Sequence, residues 1–258
     1  MIEISGLTKV YRLSKRQMAK EKKKINMVKA VDQLNISAHN GEIYGLLGPN
    51  GAGKTTALRC LATLLKPTEG SISVCGCDTI KEPEEVRKRI GFLTNEIKLD
   101  PQFSPKYLFH FFGRLHGMDE TSIEEREEVL FEYFGIKEFK DKKISELSTG
   151  MKQKASIAVS LVHNPEVIIF DEPTTGLDIV TARSVTDYLK LLKDEGKTII
   201  ISTHIMSEAE KLCDRIGVII NGRKVIEGSL NSILNLTNTT DLEDAFFELY
   251  KANNMQEV

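Results

Sequence analysis

Several stretches of the chain are apolar at almost every position and then stop abruptly. Ile43-Tyr44-Gly45-Leu46-Leu47 ends at Gly48-Pro49, and Val167-Ile168-Ile169-Phe170 ends at the acids Asp171-Glu172. Short continuous apolar runs of this kind mark strands buried on both faces, the condition of strands in a parallel sheet. Helical periods over 56–65, 83–88, 155–162, 180–194 and 205–213 alternate with such runs, and 90–93 and 197–202 read as further strands. The alternation predicts an α/β fold. Residues 2–10 alternate loosely, a strand ending at Tyr11, and 28–40 read as a second strand that turns at Asn40-Gly41. Residues 71–75 are a short strand, and 215–227 a hairpin turning at Asn221-Gly222.

The pattern changes between about 103 and 145. Phe103, Tyr107, Leu108, Phe109, Phe111, Phe112 and Leu115 crowd together, followed by Ile123, Val129, Leu130, Phe131 and Phe134 at helical spacing among acids. This predicts a helical subdomain, about 96–164, inserted into the α/β core. The aromatics are expected to form its core, with part of them left as a docking surface. Residues 231–258 read as a short polar helical tail without an obvious core of its own.

Composition narrows the class. The 258 residues carry a net charge of −2, with 41% hydrophobic and 28% charged residues, which excludes a strongly basic nucleic-acid binder. No apolar run reaches the ~18 residues that span a bilayer, and Met1–Gly6 lacks the basic-then-apolar start of a signal peptide, so an intracellular soluble protein is expected. The four cysteines form no disulfide framework, and Cys75-Gly76-Cys77 has no second pair at metal-ligand spacing. Six basic residues and one acid lie between Lys15 and Lys24. The run reads as a solvated exposed segment, with contact to anionic lipid headgroups as the sharper alternative.

The chemistry is concentrated in Gly48-Pro49-Asn50-Gly51-Ala52-Gly53-Lys54-Thr55, which satisfies G-x-x-x-x-G-K-[ST] between a predicted strand and a predicted helix. Its glycines let the backbone approach an anion closely. Amides from about Gly51 to Thr56 face one concavity at the positive end of a helix. Lys54 adds charge for β- and γ-phosphates, and the Thr55 hydroxyl suits Mg²⁺. Asp171 and Glu172, at the carboxyl end of a buried strand, stand where ligands bind in open α/β sheets. Asp171 is expected to hold Mg²⁺ and Glu172 to polarise an attacking water. Leu147–Lys154 carries a hydroxyl-rich turn at a helix start, with Ser148 as N-cap and a second anion site in prospect.

In order, the phosphate loop 48–55, the loop Leu147–Gln153, the strand Val167–Glu172 with Pro173, Thr175-Gly176-Leu177-Asp178, and His204 after a strand resemble the ATP-binding subunits of ABC transporters over about residues 2–228. The resemblance implies a phosphate-loop NTPase fold of the ABC ATPase type, with a helical insertion and an antiparallel β subdomain near the N-terminus. It places the ATP-binding domain at 1–230. It also implies a head-to-tail homodimer holding two ATP molecules. Each nucleotide would meet Gly48 to Thr56 of one chain and Ser148, Gly150 and Gln153 of the other. Tyr11 would stack on adenine, Asp178 would form the D-loop, and His204 would contact the γ-phosphate. The family's usual metal-contacting Gln is replaced by Asn95, whose shorter amide puts that contact in question.

The segments 91–99, 147–155 and 202–211 are similar to sodium-export ABC ATPases of the NatA type. That similarity implies an ATPase coupled to a separate polytopic membrane permease, peripheral on the inner face of the cell membrane. Two other readings stay open: an exporter of drugs or other small molecules, and a soluble ABC ATPase of translation or DNA repair. A single cassette without sustained heptads weighs against the last.

Overall fold

A computed structural model describes residues 1–13, 26–94 and 98–254. Asn95 and the basic run Lys15–Lys24 lie outside the described residues.

Among the described residues the strands form two sheets. One is antiparallel, ordered β2 (Met27–Ala38), β1 (Ile2–Arg12), β4 (Glu69–Val74), β5 (Cys77–Asp78). The other is ordered β10 (Arg223–Gly228), β9 (Arg215–Ile220), β3 (Glu42–Leu47), β8 (Thr198–Thr203), β7 (Val167–Asp171), β6 (Ile90–Thr94). Its pairs are parallel except β9–β10, the expected hairpin, which turns through Asn221 and Gly222, both at positive φ.

Burial follows the period of a strand covered on both faces. Ile168 and Phe170 of β7, with Ile199 and Ile201 of β8, join the core that faces the helical insertion. Val167, Ile169 and Ile200 face the other way, into the core around α1 (Lys54–Leu61) and the antiparallel sheet. The helix expected over 56–65 is therefore shorter and starts earlier. Thr63 ends it at φ 64, and the amides of Leu64 and Leu65 both return to the Arg59 carbonyl.

The helix α2 (Pro83–Arg89) leads into β6. The helical insertion, α3 (Pro105–Leu115), α4 (Glu120–Phe134) and α5 (Thr149–Ser160), connects β6 to its parallel neighbour β7, so it occupies the place of a crossover helix. α5 begins at Thr149, six residues before the apolar stretch that marks it in sequence, because Ser148 caps it by accepting from the Met151 amide at 3.3 Å. The aromatic cluster divides by face. Phe109 is buried with Phe131 and Phe134, their rings within one core. Phe103, Tyr107, Phe111 and Leu115, four residues apart, remain exposed on the opposite side. The rings of Phe103 and Tyr107 stack at 4.5 Å, and Tyr107 and Phe111 lie parallel at 6.4 Å.

After β7 come α6 (Ile179–Asp194), β8 and α7 (Met206–Leu212), and after the hairpin α8 (Leu230–Thr237) and α9 (Leu242–Asn254). The terminal helices do have a core, one shared with the sheet. Ile233, Leu242, Ala245 and Phe246 pack against Ala209 and the outer face of β9 through Ile216, Val218 and Ile220. The sequence period hid this because the apolar residues of each short helix find their partners on other elements.

The insertion is pinned to the sheet near His163. Its Nε2 donates to the Ile90 carbonyl at 3.0 Å, and its ring stacks on His116 at 3.7 Å. Burial, reinforced by the neighbouring His116, Arg126 and Lys197, pushes the His163 pKa down to about 4 from an ordinary value near 6.5. The native state holds this ring neutral while the unfolded chain takes up a proton. Its contribution to stability is therefore complete above pH ~6.5 and is lost as the pH falls toward 4, by roughly 3 kcal/mol. His163→Asn is expected to flatten the decline in urea-unfolding free energy between pH 7 and pH 4 by about that amount.

Candidate active site

The register of the parallel strands brings the predicted residues to one edge. Leu47 pairs with Thr203, and Asp171 with Ser202, so the chain leaves β3, β7 and β8 within one residue of the same level. From there Gly48, Asp171-Glu172 and His204 follow directly.

The phosphate loop is shaped by what stands behind it. A Cβ on Gly48 would overlap the Ile219 carbonyl oxygen, and one on Gly53, at φ 104, would overlap that of Ala30. Gly51, at φ 83, has open space instead. The Gly222 amide donates to the Ala52 carbonyl at 3.0 Å, and the Asp32 amide donates to the Gly222 carbonyl at 2.8 Å. Hydrogen bonds from Lys29 and then Arg223 hold the Asp32 carboxyl below the usual carboxylate range. The β9–β10 turn thus braces the loop directly and is itself tied to β2, which sequence reasoning missed. Asn-Gly reads as a turn, and nothing local says what the turn touches.

In front, α1 starts at Lys54 without a side-chain cap, which leaves first-turn amides for an anion. The Ala52 amide departs from expectation, since it donates to the Pro49 carbonyl at 3.2 Å inside the loop. Pro49 and Thr55 are half-buried, and Asn50 and Gly51 exposed, at the rim. The Lys54 side chain is folded inward and only 4% exposed, its Nζ donating to the carbonyls of Gly48 at 2.6 Å and Pro49 at 3.2 Å. Burial pushes its pKa down, opposed by the attraction of Glu172 and Asp171.

Glu172 stands between two of the other groups. Its Oε1 is 3.8 Å from Lys54 Nζ and 3.0 Å from His204 Nδ1. The backbone there is left-handed, φ 52, a strained conformation for a residue with a side chain. It is held by Glu172 N–H bonds to both the carbonyl and the hydroxyl of Ser202, each at 3.1 Å. Asp171 is buried, accepts a short hydrogen bond from the Ser202 hydroxyl, and has Thr94 Oγ1 at 3.5 Å. Ser202 is a second residue the sequence reading passed over. Its signal was a polar side chain at the carboxyl end of an otherwise apolar strand. A buried carboxylate with hydroxyls around it is a hard oxygen donor set, which fits Mg²⁺.

The Ser148 loop lies by the segment after Glu172. Gln153 Nε2 donates to the Pro173 carbonyl at 3.2 Å, and the space beside Gly150 is bounded by Thr181 and Asp178. Asp178 caps α6, accepting from the amides of Val180 and Thr181 at 3.0 Å. Within one chain Gly150 and Gln153 therefore make their contacts to 173–181. Tyr11 pairs with Val28 at the edge of the antiparallel sheet, half-buried, with Lys9 Nζ 5.5 Å from its ring centre.

This fold and this edge define a phosphate-loop nucleotide-binding protein of the α/β class. The model of the ABC transporter family matches residues 31–175, and the chain belongs to that family, as an ATPase subunit of ATP-driven transport. It is 42% identical over 227 residues to the ABC transporter ATP-binding protein NatA of Bacillus subtilis (strain 168), covering 88% of this chain and 92% of the relative. It is 38% identical over 232 residues to the daunorubicin/doxorubicin resistance ATP-binding protein DrrA of Streptomyces peucetius, covering 90% of this chain and 66% of that one. Among solved structures, an ATP-binding subunit of an ABC transporter superposes with a TM-score of 0.84 at 25% identity, over 96% of this chain and 99% of that one. The cassette MJ0796, a dimer in a post-hydrolysis state bound to ADP and Pi, superposes with a TM-score of 0.77 at 26% identity, over 89% of this chain and 99% of that one.

The loop makes unequal demands on its glycines. Gly53→Ala, which meets backbone, is expected to weaken ADP binding at least about tenfold, and Gly51→Ala, which meets open space, distinctly less. Isothermal titration of the two variants measures the difference.

Proposed function

We propose that this chain is the ATP-hydrolysing subunit of a membrane exporter, acting as a homodimer on the inner face of the cell membrane, with sodium as the transported ion. The observation that carries the catalytic part is the placement of Glu172 between Lys54 and His204 at the carboxyl edge of the sheet.

In this reading residues Gly48 to Thr56 receive the triphosphate. Lys54 exchanges its carbonyl partners for β- and γ-phosphate oxygens, which also relieves the cost of its burial. Tyr11 supports the adenine. Thr55 and Asp171 would hold Mg²⁺, with Asn95 a further candidate, and the ion would neutralise developing phosphate charge. Glu172 orients and polarises the attacking water, and the His204 N–H that faces the Glu172 carboxylate turns to the γ-phosphate once ATP is bound. Ser148, Gly150 and Gln153 serve the partner's nucleotide, with Asp178 at the same interface. An isologous interface puts each such residue to use twice. Hydrolysis reopens the dimer.

Residues 1–230 form the ATP-binding domain in this reading, and the helices that follow pack onto its sheet. The exposed ridge of Phe103, Tyr107, Phe111 and Leu115 is the surface for the membrane subunit. No helix among the described residues is long and apolar enough to cross a membrane, so the path for the ion would belong to that partner. Sodium rests on the similarity of 91–99, 147–155 and 202–211 to sodium-export ATPases.

Glu172→Gln is expected to abolish ATP hydrolysis while ATP still binds, and to accumulate an ATP-bound dimer visible by light scattering. A variant that hydrolyses normally or stays monomeric at saturating ATP and Mg²⁺ refutes the mechanism. The transport reading is tested by affinity capture from detergent-solubilised native membranes. A stoichiometric polytopic partner is expected, and its co-expression with this chain should give ATP-dependent sodium efflux from loaded cells. Efflux of a drug in place of sodium would reassign the substrate, and capture of ribosomes or soluble proteins alone would overturn the exporter.

A further inference from the structure

The chain segment that carries Glu172 and the one that carries His204 leave adjacent strands, β7 and β8, whose residue pairing ends at Asp171 and Ser202 with the Glu172 amide bonded back to Ser202. A side chain on α7 spans the gap. Glu208 Oε1 accepts from Thr174 Oγ1 at 2.6 Å, and its Oε2 accepts from Thr203 Oγ1 at 2.5 Å. Thr203 directly precedes His204 and is 1% exposed, and its hydroxyl also accepts from the Ile205 amide at 3.0 Å. Thr174 lies two residues after Glu172, and the next residue, Thr175, donates both its amide to the Glu172 carbonyl and its hydroxyl to Glu172 Oε2, each at 3.2 Å.

We infer that Glu208 is a positioning residue for hydrolysis, a carboxylate strap that fixes the Glu172 segment against the His204 segment. A carboxylate accepts from both hydroxyls at once, one to each oxygen, whereas an amide keeps one acceptor and requires the other hydroxyl to turn and give up its donor role. The strap opposes a specific relaxation. Glu172 sits at φ 52, and such a backbone persists only where its surroundings over-determine it. The Ser202 bonds hold its amide from one side, and the strap, through Thr174, holds the turn that follows. The 3.0 Å contact between Glu172 and His204 depends on both. Glu208 also lies in the first turn of α7, where a carboxylate is favoured by the helix N-terminus. A residue that only began this helix would affect stability and leave the chemistry alone.

The inference rests on the roles proposed for Glu172 and His204, and the experiment separates the two. Steady-state ATPase assays on the full chain, with ADP affinity by titration calorimetry and melting by scanning calorimetry, are run on Glu208→Gln, Thr174→Val and Thr174→Ser beside Glu172→Gln. Glu208→Gln loses one acceptor and Thr174→Val one donor. Each is expected to lower kcat about five- to tenfold with KM and ADP affinity within twofold of the parent. Thr174→Ser, which keeps the hydroxyl, restores kcat. The double variant Glu208→Gln/Thr174→Val is expected to lose little more than either single one, because both remove one interaction. A lowered melting point with parental kcat, or fully multiplicative losses in the double variant, overturns the strap. If Glu172→Gln is inactive and Glu208→Gln and Thr174→Val turn over normally, the strap alone fails. If Glu172→Gln hydrolyses at the parental rate, the roles at this edge fail and the strap with them.

Discussion

Parallel pairing of β3, β8 and β7 in one register is the constraint on which the site depends. Leu47 and Thr203 end their strands at one level, and Asp171 one residue short of it, because Gly45 pairs with Ile201, and Ile201 with Phe170. A slip of one residue would turn the alternate residues of a strand that is buried on both sides into the wrong core. Ile169 would then face the insertion and Phe170 would face α1, so the two cores defend the register together. The catalytic edge inherits that accuracy, and the Ser202 bonds to Asp171 and Glu172 act beyond the last paired residues.

The loop chemistry is defended differently. Gly48 and Gly53 are pressed against backbone carbonyls of Ile219 and Ala30, which belong to different sheets. The loop is therefore seated where the two sheets meet, and its shape reports on both. This is why a tight β-turn at Asn221-Gly222, far along the chain, carries a hydrogen bond to Ala52.

Much of this was legible from residue order. Continuous apolar runs located β3 and β7, because a strand buried on both faces has no polar side to confuse with a loop. The G-x-x-x-x-G-K-T spacing and the acids after Phe170 pointed to their edge for the same reason. Boundaries were less legible. The end of α1 is set by Thr63 adopting a left-handed conformation, which threonine gives no sign of doing. The aromatic run 103–115 could not be divided from composition, since Phe109 and Phe111 are chemically alike and only their faces on α3 differ. The core of the terminal helices was hidden for a related reason: Ile233 and Phe246 find their partners on β9. Ser202 gave only the signal of a polar residue ending an apolar strand, and Glu208 none, because each acts on a segment distant in sequence.

The attachment of the insertion has a mechanical consequence. It departs beyond the carboxyl end of β6 and rejoins at the amino end of β7, the two strands lying side by side, about 4.8 Å apart. Its two anchorages are therefore at opposite rims of the sheet, and the line between them runs nearly along the strands. Between these ends the insertion shares one buried core with β7 and β8, so it is seated along its length as well as tied at its ends. The stacked rings of His116 and His163 stand beside the lower anchorage. The Ser148 loop, at the start of α5, is flanked by Leu147 and Ala155 of that core, so a force on it reaches β7 and β8 through packed side chains as well as through the backbone.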